Sequence, residues 1–147
     1  MLLGKGYPDK RSLELVADRY QLDRTGRAVL FRGVFKQEVN MNRKAKLLQG
    51  LPEQGSVVKV DVLNQRYALG SYFSGQLVFV ASDGFLRDAS GFHGAALPGN
   101  ILERAITGLH AFFESRRDLR IEVLLDVQAD AYSAVHQALE GFSDFVV

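Results

Sequence analysis

The chain has 147 residues, 47% of them hydrophobic and 10% aromatic, with a formal net charge of +1. That length suits one compact domain or a small α/β domain with a helical appendage. The composition argues against disorder, and no apolar stretch approaches the ~20 residues of a membrane span. With no cysteine there is no disulfide framework and no thiol nucleophile, and Met1-Leu2-Leu3 before Gly4 is too short for a secretory signal, so a soluble, cytoplasmic protein without a membrane partner is expected.

The charge is unevenly spread. Residues 1–50 carry 11 Lys and Arg against five Asp and Glu, whereas residues 51–147 carry seven against 12. A basic helical segment over 1–50 followed by an acidic-edged α/β domain over 51–147 is the expected organisation. It suits an anionic ligand held by one part and a metal by the other, or two oppositely charged surfaces that dock.

In chain order, Pro8 opens a helix through about Tyr20, with Leu13, Val16, Ala17 and Tyr20 repeating on one face. Asp23 is the expected N-cap of a second helix that turns Ala28, Phe31, Val34 and Phe35 inward and Arg24, Arg27 and Arg32 largely outward. A third helix, about 36–48, is basic at Arg43, Lys44 and Lys46, and residues 50–55 read as a linker. Strand, helix (about 64–73), strand, loop, long helix (about 98–117), strand and helix (about 131–139) follow, with a short apolar run at 144–147. Strands alternating with helices predict βαβ units and a small three-layer parallel sheet. The long helix presents Ile101, Leu102, Ala105, Ile106, Leu109, Phe112 and Phe113, an arc wide enough for the core or for a homodimer contact.

Three apolar runs end in an aspartate, at Asp61, Asp83 and Asp126. If all three are parallel strands, their carboxyl ends place three carboxylates at one edge, the usual ligand crevice of an open α/β sheet. Such a cluster repels itself unless a cation is bound, and Mg2+ or Mn2+ is the natural occupant. Asn64 follows Asp61 by three residues and suits holding that carboxylate or a phosphate oxygen. Asp83 opens a loop in which Gly84 permits a turn and Arg87 and Asp88 follow. Helix capping and ion pairing explain each of these residues singly. Asp126 is preferred to Asp130, which reads as an N-cap, and Ser133 is in reach of the same edge. His93, His110 and His136 have no metal-binding spacing, and no phosphate-cradling glycine motif or triad elbow is present.

The segments 6–8 and 15–22, then Asp61-Val62-Leu63-Asn64, Asp83-Gly84-Phe85-Leu86-Arg87-Asp88 with 89–91, and Leu124-Leu125-Asp126 resemble, nearly end to end, the prokaryotic family labelled domain of unknown function 434. The second half in turn resembles PIN and NYN ribonuclease domains, which open with an aspartate-x-x-asparagine turn matched by Asp61 and Asn64. The resemblance implies a PIN/NYN-like, Rossmannoid fold and acidic residues around Mg2+ or Mn2+. Together with the residues it points to a possible Mg/Mn-dependent ribonuclease: Asp61, Asp83 and Asp126 hold metal, Asn64 or Arg87 steadies the phosphate, and Asp88 is a further ligand. The alternative is a non-catalytic nucleic-acid-binding module, its first two helices acting as a helix-turn-helix. In either case Arg24, Arg27, Arg43, Lys44 and Lys46 face RNA or DNA phosphates.

Overall fold

The computed structural model describes residues 2–90, 97–126 and 132–140. After a 3-10 turn at Leu2–Gly4 come α1 (Asp9–Arg19), α2 (Arg24–Gly33), α3 (Gln37–Lys44), β1 (Val57–Asp61), α4 (Val62–Phe73), β2 (Val78–Val80), β3 (Leu86–Asp88), α5 (Gly99–Glu114), β4 (Arg120–Leu124) and α6 (Tyr132–Glu140). The chain divides into two compact units, Met1–Leu47 with Gln76–Gly91, and Leu48–Gly75 with Phe92–Val147. No helix among the described residues is long and apolar enough to cross a membrane.

In the first unit, Pro8 precedes α1 as its cap residue, with φ of −57°, and its carbonyl accepts from the Ser12 hydroxyl and amide. Leu13 and Ala17 are buried as the periodicity requires, but Tyr20 is exposed. The helix ends there: Leu22 N–H bonds the Ala17 carbonyl and Gln21 N–H the Asp18 carbonyl, which needs a left-handed residue at Gln21, φ +49°. Asp23 caps α2 by accepting from Gly26 N at 2.7 Å. That helix stops at Gly33, before Val34. A Cβ at Gly33 would lie 2.7 Å from the Phe79 ring, so the absent side chain is what lets β2 approach.

β2 and β3 form an antiparallel hairpin, Val78 opposite Asp88 and Val80 opposite Leu86. This corrects the expectation of a third parallel strand over 76–83. Gly84 N–H bonds the Ala81 carbonyl, Ala81 N–H bonds the Phe85 carbonyl, and Gly84 takes φ +85°. That is a tight turn followed by a left-handed residue, a favoured way to close a hairpin.

In the second unit β1 and β4 run parallel, Val57 opposite Arg120 through Asp61 opposite Leu124, and among the described residues make a two-stranded sheet. Its core is Val62, Leu63, Ile106, Val123, Val135 and Leu139, with Val60, Leu102, Leu109 and Leu125 packed around them. Exposure alternates along β1, so one face is covered rather than the two that a three-layer sheet implies. In α5, Ala105, Ile106 and Phe113 are buried while Phe112 stands exposed. The stretch read as a linker is tied into this unit: Arg116 donates to the Pro52 carbonyl, and Gly55 N–H bonds the Asp118 carbonyl. The apolar run at 144–147, His93 and Asp130 lie outside the described residues.

Candidate functional site

The parallel register decides which residues share an edge. Asp61 ends β1 opposite Leu124, and Asp126 follows β4 by two residues, so both stand at the carboxyl end of the sheet. They line one cleft of about 480 Å3 with Asn64, Arg66 and Tyr67, over apolar Leu63, Leu124 and Leu125. Asp61 is fixed by its neighbour: Oδ1 accepts from Asn64 N at 3.1 Å and Oδ2 from Asn64 Nδ2 at 2.5 Å. The aspartate-x-x-asparagine spacing therefore does two things, capping α4 and orienting a carboxylate that lines the cleft. The Asn64 side-chain oxygen is left as an acceptor beside it.

Arg66 is the residue that the sequence reasoning missed. It is only 4% exposed. Its Nη2 donates to the Tyr67 hydroxyl at 2.7 Å, and its guanidinium lies 4.5 Å from the Tyr67 ring centroid. Nε and Nη1 are buried without a hydrogen-bond partner among the described residues. A signal for it existed: Arg66 sits four residues after Val62 and three after Leu63, both core residues, and a charge on the apolar face of a helix is rare without a reason.

Asp83, Arg87 and Asp88 are placed in the first unit, on or beside the hairpin, and not at the end of a parallel strand. Asp83 is fully buried. Its Oδ2 accepts from Arg87 Nη2 at 2.6 Å and Arg43 Nη1 at 3.0 Å, and its Oδ1 from Phe85 N at 3.2 Å. Arg43 and Arg87 both lie over the Phe35 ring, 4.3 and 4.8 Å from its centroid. Two cations thus do for this carboxylate what a metal was expected to do. Asp88 is held by Arg32 at 3.1 Å and by the Ser90 hydroxyl at 2.6 Å. Burial pushes its pKa up, but the Ser90 hydroxyl and Arg32 outweigh that and hold it below the ordinary carboxylate value. The turn between them is anchored through Ser82, whose N–H bonds the Gly33 carbonyl and whose hydroxyl donates to Asn40 Oδ1.

The basic residues of the N-terminal segment divide similarly. Arg27 is committed to the α1–α2 connection, donating to Asp18 Oδ1 at 2.6 Å and to the Leu22 carbonyl at 3.1 Å, and Arg43 is committed to Asp83. Arg24, Lys44 and Lys46 are exposed and have no ion-pair partner among the described residues. The described residues also hold no group of three or more His, Cys, Asp or Glu side chains arranged for a metal. At the strand ends, Asp61 and Asp126 are the acidic pair that the structure brings to one cleft.

Two family models match the chain, one described as Protein of unknown function (DUF434) over residues 1–46 and one as Domain of unknown function (DUF5616) over residues 53–142. No curated protein and no solved structure matches.

Proposed function

Because the chain belongs to the family described as Domain of unknown function (DUF5616), whose description names no chemistry, we propose from the site that it is a metal-dependent nuclease-like domain acting on RNA, with a PIN/NYN-like arrangement of its second unit. The observation that carries this reading is the meeting of Asp61 and Asp126 in one cleft at the carboxyl end of the β1–β4 sheet. Ligand sites of parallel sheets form at that edge.

The donor set fits a hard cation. Two carboxylates and the Asn64 amide oxygen are all oxygen donors, the kind that Mg2+ and Mn2+ prefer, and Mg2+ fills its remaining positions with water. A cation there would supply an acidified water and a Lewis acid for a phosphodiester. The chain's own part is positional: Asn64 holds Asp61 in one orientation, and Leu63, Leu124 and Leu125 give the same cleft an apolar lining beside the carboxylates. Asp83, Arg87 and Asp88 stay in this reading as the ion-pair network of the first unit.

Calorimetric titration of the full chain with Mn2+, paired with cleavage of a labelled single-stranded RNA, tests the proposal. Asp61→Asn is a clean variant because asparagine caps a helix as well as aspartate does, so α4 survives while a charged ligand is lost. The wild type is expected to bind Mn2+ and cleave slowly, and Asp61→Asn and Asp126→Asn to lose both. A wild type that gives no binding heat and no rise in melting temperature with Mn2+ removes the enzyme reading. The nucleic-acid-binding module, supported by Arg24, Lys44 and Lys46, which are exposed and have no ion-pair partner among the described residues, then takes its place.

A further inference from the structure

Arg66 poses a physical problem inside the cleft. A guanidinium carries five N–H donors, and this one, 4% exposed, spends Nη2 on the Tyr67 hydroxyl while Nε and Nη1 are buried without an acceptor among the described residues. Buried donors left unmade cost more than any ordinary contact returns, and a buried cation without a counter-ion costs more still. Two carboxylates share the same cleft, yet none of the described acidic groups lies within ion-pair distance of Arg66. Tyr67 orients the group through its hydroxyl and its ring face. A buried cation that is oriented by one neutral hydroxyl and has no carboxylate partner among the described residues is suited to an anion that arrives from outside.

We propose that Arg66 is a phosphate-binding residue of this cleft, donating from Nη1 and Nε to the non-bridging oxygens of a phosphate group. Guanidinium is the side chain best matched to phosphate oxygens. Arg66 forms part of that cleft's wall, and its two buried nitrogens reach a phosphate there once the guanidinium leaves the Tyr67 hydroxyl. The inference rests on the proposed function for the identity of its ligand, a phosphodiester of RNA. The contact itself needs no cation, because its charge partner is the phosphate.

The test uses the full chain with EDTA, titrated with inorganic phosphate, with a short single-stranded RNA and with uridine, which lacks phosphate. Melting temperature and phosphorus NMR line width are the readouts. Wild type is expected to respond to phosphate and to RNA but not to uridine. Arg66→Met should weaken both responses at least about tenfold, as expected for loss of a charge-assisted contact. Arg66→Lys should retain part of the response. Without ligand, Arg66→Met should melt no lower than wild type, since it removes a buried cation with unmade bonds and keeps a similar volume. A response to RNA alone identifies the polymer backbone as the source, and a response to both identifies the phosphate group as sufficient. A wild type unmoved by either, or an Arg66→Met protein that binds as wild type does or melts well below it, overturns the assignment. Mn2+ calorimetry separates the two proposals: phosphate binding through Arg66 without Mn2+ binding leaves this inference standing and removes the nuclease reading, and the converse removes this one.

Discussion

Replacing Asp83 by asparagine is the sharpest perturbation, because two accounts of that residue give opposite signs. If Asp83 belonged to a cluster of mutually repelling carboxylates, neutralising it would stabilise the metal-free protein. In the structure it is fully buried and answers Arg87 at 2.6 Å and Arg43 at 3.0 Å, so neutralising it leaves two guanidinium groups facing an amide. Each hydrogen bond to a charged group contributes about 1.5–3 kcal/mol, and removing one partner of a buried pair costs about 3–5 kcal/mol. The Arg87 side chain is 19% exposed and recovers little solvent, whereas that of Arg43 is 40% exposed and rehydrates, so its share is discounted. The expected loss for Asp83→Asn is therefore about 3 kcal/mol, a large part of a typical ~5–15 kcal/mol stability. Urea unfolding at neutral pH should show the midpoint falling by about 1.5 M for a slope near 2 kcal/mol/M, with Arg43→Ala costing only about 1 kcal/mol. An Asp83→Asn protein as stable as wild type, or more so, would refute the ion-pair account.

Asp88 gives a pH prediction. Its folded pKa is held below the usual value by the Ser90 hydroxyl and Arg32 against the opposing effect of burial, so the unfolded state takes up its proton first as pH falls. Its stabilisation should be complete above the ordinary carboxylate pKa of about 3.9 and be lost as pH drops through the lower folded value. The wild type's advantage over Asp88→Asn in urea should be flat near neutrality and shrink in strong acid. An advantage that grows on acidification would mean a raised pKa and contradict the geometry. For RNA affinity, replacing Arg24, Lys44 and Lys46 together by Ala should lower the slope of log affinity against log salt by up to about 2, at ~0.7 per phosphate contact on a single strand. Arg27→Ala should instead destabilise the α1–α2 pair, because its guanidinium is spent on Asp18 and the Leu22 carbonyl. An unchanged salt slope would remove the basic residues from the interface.

The sequence made some of this legible because the signals were local. Asp23 as a cap, the α1 face of Leu13 and Ala17, and the pairing of Asp61 with Asn64 follow from spacing within four residues. Periodicity does not say which strand a short apolar run pairs with. An apolar run over Gln76–Asp83 therefore fits a parallel strand as well as a hairpin arm, although Asp83-Gly84 between two apolar stretches is itself a hairpin signal. Long-range partners were illegible. Nothing near Asp83 in the sequence announces Arg43, 40 residues earlier, or near Asp88 announces Arg32, 56 residues earlier. Those two arginines decide that the carboxylates are neutralised by the protein itself. Arg66 counts in the sequence as one more charge, and its role depends on the buried face of α4 that carries it.

The first unit is assembled from two stretches of chain, Met1–Leu47 and Gln76–Gly91, with 28 residues of the second unit threaded between them. On a ribosome adding ~5–20 residues per second, Arg43 emerges about 2–8 s before the aspartate it needs, 40 residues on. Until then α1 to α3 have neither the hairpin nor its buried carboxylate, and their early encounters are with solvent or chaperones. The same interleaving governs dissection of the protein in the laboratory. A fragment cut near residue 50 takes Arg32 and Arg43 away from Asp88 and Asp83, and the remaining fragment carries a buried-type aspartate with half its cations missing. Expressing the two halves separately should give two poorly folded pieces, and mixing them should restore the ion pairs only by complementation.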